Sequence, residues 1–460
     1  KPLCEAWLGM PPEEQDELTD WIVLHVPDCK SRKTAGAHIS KAPGGLVGRY
    51  ANGDTVRTEA LFDYLSPLIE TMQEPYDRER RLAPILAELQ NVGVRCDQER
   101  LAEDYEKARA WLTELDTWVR NKLNRPGLNP GSHAELGAAL IDAGYSGFLR
   151  TPKGDISTSK PSLEKVLAGE PELREKLWQR GTLATLTGTF MFPWLEISGR
   201  NNGRIHAAYN QTRNDKGYGT RTGRLSSSKP NFQNVPKDLQ HGMPVMRSYL
   251  LPEEGHVWTV ADFKQQEPRL AAHFEDGRLM AAFIEDPTLD PYIFVKDLAG
   301  VTRTEAKVVF LGILYAMGAG ALADQLNTNS SRATMLRNMI RATLPDIVEL
   351  DRECKNRFRM GLPIKTLGGR LYHCEPPANG RTWEYKALNC LIQGSAADQT
   401  KEAIIYIHSE LQPGERILGT VHDEISVSHP PERTEDFKQI YHEAANKLPC
   451  DVPMLMDFGT

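Results

Sequence analysis

The chain has 460 residues, a formal net charge of −7 and seven cysteines scattered along it. That length exceeds one hydrophobic core and implies about two to four domains. Cysteines that are odd in number and never form a C-x-x-C pair exclude a disulfide framework and a structural zinc site, and no uncharged apolar run of about 18 residues marks a membrane span.

The chain opens Lys1-Pro2-Leu3-Cys4, without a methionine or a leader pattern, and is expected to be a piece of a longer product. Residues 1–75 mix short apolar runs such as Trp21–Val26 with a Gly/Pro-rich stretch, Ala42–Gly48, and read as the tail of a domain. From Tyr76 the spacing of Leu82, Ile85, Leu86 and Leu89 predicts a helix stopped by Gly93, and a second helix follows Asp97. Residues 126–161 turn polar, and helical pattern resumes from Leu163 to Leu195, so 76–196 reads as a helical arm with a looped tip. Arg204–Tyr209 and Val257–Val260 are strand candidates. Between them Arg213, Lys216, Arg221, Arg224, Lys229, Lys237 and Arg247 form a basic stripe suited to phosphate contacts within an acidic chain. Residues 268–362 are almost entirely helical in pattern, and 363–460 returns to mixed strand and helix.

Five segments carry chemistry. Val257–Val260 leads into Asp262, with Glu267 and Pro268 at the entry of a helix, where a missing N–H costs nothing. Arg416–Val421 runs into His422-Asp423-Glu424, and Ile425–Ser428 resumes an alternating pattern, so two strands flank a polar tip. Aspartates at two strand ends suit a pair of divalent ions about 3.5–4 Å apart. Arg303, Lys307, Leu311 and Tyr315 fall on one helical stripe spanning on the order of 18 Å, long enough for two cations to grip phosphates and a tyrosine to stack a base. Thr222–Ser227 with Pro230–Pro236 is a polar loop holding Arg224 and several amides, and Asn389, Gln393 and Gly394–Asp398 open a helix with small residues on one face. Each segment alone has a plainer reading: a helix cap, a hairpin turn, solvated cations, a surface loop, close helix packing.

All five in this order resemble the family A DNA polymerases, the bacterial polymerase I and phage replicase group. The resemblance implies an α+β right-hand fold of thumb, palm and fingers with an antiparallel palm sheet. It divides the chain into 76–196 thumb, 197–280 palm, 281–365 fingers and 366–460 second part of the palm. It implies that Asp262, Asp423 and the backbone carbonyl of Phe263 hold two Mg²⁺ ions, with Mn²⁺ able to substitute, and that Glu424 is the adjacent acid. Glu267 would exclude a ribose 2′-hydroxyl; Arg303, Lys307, Leu311, Tyr315, Gln265 and Tyr292 would hold the incoming nucleotide. Arg224, Asn234, Asn389, Gln393 and His422 would touch primer, template or their minor groove. Three positions depart from the family pattern: Leu311 where Phe or Tyr is usual, Tyr292 near a phosphate-binding histidine, and Tyr385 in place of a basic residue. Tyr50-Ala-Asn-Gly-Asp54 also resembles the last motif of a 3′-5′ exonuclease, without its partner carboxylates, which marks 1–75 as a remnant of that domain.

The resulting expectation is a monomeric template-directed DNA polymerase from a phage or phage-like element, acting in the cytoplasm of a bacterial host. Its partners would be primer-template DNA, deoxynucleoside triphosphates and replication accessory proteins, with no membrane. A single-subunit RNA polymerase is the enzymatic rival, disfavoured by Glu267, and a non-catalytic DNA-binding scaffold is the rival from another class.

Overall fold

The computed structural model describes residues 1–151, 153–213, 217–236, 242–378, 380 and 382–459. The chain divides into two compact units, Lys1–Tyr76 and Asp77–Thr460. The first is helical, with helices Pro2–Leu8, Glu13–His25 and Gly44–Ile69 around a small core of Leu18, Ile22, Val26, Cys29 and Ala35. The Gly/Pro-rich stretch begins the third of these helices: Pro43 stands at its N-cap, and Gly44 and Gly45 fall in its first turn.

The second unit is built on a four-stranded antiparallel sheet. Its strands are β1 (Val257–Phe263), β2 (Arg416–Val421), β3 (Glu424–His429) and β4 (Met456–Gly459), in the spatial order β4-β1-β3-β2. Alternation along β1 sends Thr259, Ala261 and Phe263 into the core and leaves Trp258, Val260 and Asp262 half-exposed on the other face. The buried face packs with Ile404 and Ile407 of one helix and Phe437, Ile440 and Tyr441 of another. The Tyr441 hydroxyl donates to the Ile425 carbonyl at 2.9 Å, tying that helix to the central strand.

Three helices bear on the site: α1 (Gln266–Glu275), α2 (Arg303–Leu314) and α3 (Ala387–Ser409), the last of which carries Ile404 and Ile407. Residues 266–359 are helical apart from short connections, and their apolar faces make a second core centred on Leu279, Phe283, Val309, Phe310, Leu336 and Ile340. Ahead of the sheet, Gly93 (φ +66°) ends helix Gln73–Val92, and the Asp97 side chain caps helix Gln98–Lys122 by accepting from the Arg100 N–H. The expected strand Arg204–Tyr209 is two strands in different sheets. Arg204–Ile205 pairs with Val94–Arg95, and Ala208–Asn210 pairs with Ser226–Ser228. Between them His206 Nδ1 bonds to the Gln90 carbonyl at 2.8 Å, outside either ladder. No helix among the described residues is long and apolar enough to cross a membrane.

Candidate active site

Asp262 is the penultimate residue of β1 and lies opposite Glu424 in the β1–β3 ladder. Val421 and Glu424 pair directly, so His422 and Asp423 form a two-residue turn between β2 and β3. His422 (φ +59°) and Gln265 (φ +53°) both take left-handed backbone, a conformation costing a non-glycine residue about 1–2 kcal/mol. The strain falls at the two turns that bring the carboxylates out of the sheet. The His422 N–H donates to Gln233 Oε1 at 2.7 Å, and Gln233 Nε2 donates to the Thr420 carbonyl at 3.1 Å, so one amide latches the turn on both sides. On the β1 side, fully buried Arg269 donates to the carbonyls of Lys264 (2.9 Å), Pro453 (2.8 Å) and Pro287 (2.7 Å) and fixes the chain where it leaves the strand.

The acids at this site differ in electrostatic state. Burial pushes the Asp423 carboxyl up to about 6, and the charges of Asp262 and Glu267 push the same way, against its own backbone N–H and Arg224. Glu424 is buried, and its two oxygens accept from Arg247 Nη1 at 2.7 and 2.9 Å. Glu267, in the first turn of α1, is also buried and accepts from the Arg224 guanidinium and the Tyr315 hydroxyl. Burial, with the charge of Glu267 beside it, pushes the Tyr315 phenol well above its ordinary value. Tyr315 is the C-cap of α2, whose start is fixed by a capping box between Thr302 and Glu305. Arg303 pairs with Asp290, and Lys307 lies over the Tyr292 ring. Leu311 is half-buried against the helical core.

The carboxylate end of the sheet, the start of α1, the end of α2 and the loop bearing Arg224 therefore converge. Arg224, Gln266, Thr400, Lys401, His422 and Asp423 enclose about 10 Å³, roughly room for one water. A larger cleft of about 730 Å³ lies on the open face of the sheet, lined by Trp258, Val260, Val421 and Glu424 among others. Gln265 Oε1 is buried without a hydrogen-bond partner among the described residues. Asn234 is exposed, and the half-exposed amides of Asn389 and Gln393 make no hydrogen bond among the described residues. The small residues after Gln393 serve packing: a Cβ on Gly394 would stand 2.7 Å from Thr366 Cγ2.

The basic stripe does not stand as a row of unpaired cations. Arg221, though exposed, pairs with Glu375, and the partly buried guanidinium groups of Arg224 and Arg247 pair with Glu267 and Glu424. Lys216 and Lys237 lie outside the described residues. Sequence reasoning did not find the Gln233 latch or the Asp290 partner of Arg303. Gln233 is one polar residue in a polar loop, whereas Asp290 followed by proline carries a helix-start signal.

A model of DNA polymerase family A matches residues 98–460. The chain belongs to DNA polymerase family A. The family A relatives include the thermostable DNA polymerase I of Thermus filiformis, 30 % identical over 446 residues that cover 91 % of this chain and 52 % of that protein. DNA polymerase I of Bacillus subtilis is 29 % identical over 93 % of this chain and 52 % of its own length. The chain thus spans about half the length of these curated relatives. DNA polymerase DpoZ of Salmonella phage PMBT28 is 27 % identical and covers 97 % of the chain and 78 % of the phage protein. Among solved structures, the POL domain of Pol1 from M. smegmatis, in complex with DNA primer-template and dNTP, superposes with a TM-score of 0.78. It shares 24 % identity and covers 89 % of this chain and 74 % of that one. The α+β right-hand polymerase fold expected from sequence is the fold this family A member has.

Proposed function

We propose that this family A member is a template-directed DNA polymerase that adds deoxynucleotides to a primer 3′-end, in phage replication. The observation that carries the reading is the convergence of Asp262 and Asp423 at adjacent strand ends, where burial and like charge push Asp423 up against the opposing charge of Arg224. Hard oxygen donors crowded in this way fit divalent cations. By the family resemblance the chain would supply two carboxylates, Asp262 and Asp423, and the Phe263 carbonyl. Mg²⁺ commonly takes few protein ligands and leaves the rest to water and substrate phosphates. When bound, two such ions would lower the pKa of the primer 3′-hydroxyl and neutralise the triphosphate and its leaving group.

The other residues divide the work of holding reactants. Arg303 and Lys307 would bind the phosphates and offset charge that develops on them. Glu267, steadied by Tyr315 and Arg224, would floor the sugar and leave no space for a 2′-hydroxyl. Glu424, neutralised by Arg247, would brace the hairpin rather than bind metal. Asn234, Asn389, Gln393 and His422 would face DNA, and residues 76–196, 197–280, 281–365 and 366–460 would serve as thumb, palm, fingers and palm. Primer extension with deoxy- and ribonucleotides tests the reading. Extension by the wild-type chain with deoxynucleotides, lost in Asp423→Asn, is expected; preference for ribonucleotides would favour the RNA polymerase rival.

A further inference from the structure

Helix Pro291–Ala299 begins at Asp290, whose carboxylate is divided between two tasks. Its Oδ1 caps the helix, accepting from the N–H groups of Tyr292 at 2.8 Å and Ile293 at 3.1 Å. Its Oδ2 accepts from Arg303 Nε at 3.0 Å and Nη2 at 2.6 Å. Arg303 Nη1 has no hydrogen-bond partner among the described residues, so the held edge turns the other edge outward. The Tyr292 ring lies beneath both cations, 5.6 Å from the Arg303 guanidinium carbon and 5.7 Å from Lys307 Nζ. Arg303 and Lys307 stand one turn apart on α2 and repel each other there; a shared aromatic face within about 6 Å offsets that repulsion.

We propose that Asp290 is a positioning residue, which with the Tyr292 ring holds Arg303 and Lys307 ready for the polyphosphate of the incoming nucleotide. The inference rests on the polymerase reading of α2. The Arg303 side chain is 50 % exposed, and an ion pair so open to water adds little to stability. What the pair fixes is direction. Burial raises the Asp290 carboxyl, but the Arg303 bonds and the two backbone donors outweigh it and keep the group ionised.

Asp290→Asn separates the two tasks, because asparagine caps a helix as well as aspartate but carries no charge. In single-nucleotide insertion on a primer-template, the variant is expected to raise the nucleotide KM about fivefold with kcat within about twofold, the pattern of lost ground-state binding. Asp290→Glu, which keeps the charge, should restore part of the affinity. Adding Asp290→Asn to Arg303→Ala should change KM no further, which a merely structural role would not produce. Tyr292→Leu, which removes the ring from both cations, should also raise KM. An unchanged or lower KM in Asp290→Asn, or additive effects in the double variant, overturns the proposal. A wild-type chain that inserts no nucleotide overturns the polymerase reading, and this inference falls with it.

Discussion

Asp54 and Asp423 are both flagged by sequence as remnants or members of metal-binding motifs, and their surroundings are opposite. Asp54, on helix Gly44–Ile69, forms an ion pair with Lys1 Nζ at 2.9 Å and accepts from Arg57 Nη2 at 3.3 Å. Asp423 has acids for neighbours, and its carboxyl is pushed up to about 6. A carboxylate already balanced by cations gains little from a metal ion, whereas one crowded by burial and like charge gains a great deal. The adjacent pair Asp423 and Glu424 repeats the contrast within one hairpin, since Arg247 neutralises the second acid while burial and like charge push the first up.

The strongest way to break this comparison is charge removal at the crowded site. Asp262→Asn or Asp423→Asn should lower primer extension by orders of magnitude while retaining DNA binding, which rests on basic contacts; extension at near wild-type rate would sink the metal assignment. At the neutralised acid, Arg247→Ala should destabilise the fold by about 3 kcal/mol, the low end for breaking a buried pair because the arginine side chain is 26 % exposed. A denaturation midpoint measures this, and joint replacement with Glu424→Gln should recover much of the loss. Glu267→Ala should raise the relative use of ribonucleotides by about ten- to a hundredfold, the range available from excluding one small group. Unchanged selectivity in insertion kinetics would remove Glu267 from the sugar. Leu311→Tyr should shift the dideoxy-to-deoxy insertion ratio by about 1 kcal/mol, through a phenolic hydroxyl near the missing 3′-hydroxyl. The smallest expected effect is at the balanced acid: Asp54→Ala should leave trimming of a mismatched primer end at the same negligible level, and metal-dependent trimming abolished by that change would reverse the reading of residues 1–75.

Features set by short-range physics were legible in the sequence. The Gly93 stop, the helix that follows Asp97 and the β-branched run that leads into Asp262 follow from neighbours in the chain. Pairings across long separations were not. Arg204–Ile205 and Ala208–Asn210 look like one strand until their separate partners are known, and Arg247 looks like a phosphate ligand until Glu424 is placed beside it. Family resemblance named Asp262, Asp423, Glu267 and Tyr315, and the fold brings the last three of these around Arg224. It gave no hint of Gln233 or Asp290, whose roles lie in holding other groups.

The two hydrogen bonds made by Gln233 assign its amide one orientation, because the turn offers an N–H on one side and a carbonyl on the other. Replacement of its nitrogen by oxygen, the chemical change of deamidation, would set a carboxylate oxygen against the Thr420 carbonyl and add negative charge beside an already crowded acid. Hydrolytic ageing of a single side chain would thus loosen the hairpin tip without removing a carbon atom from it.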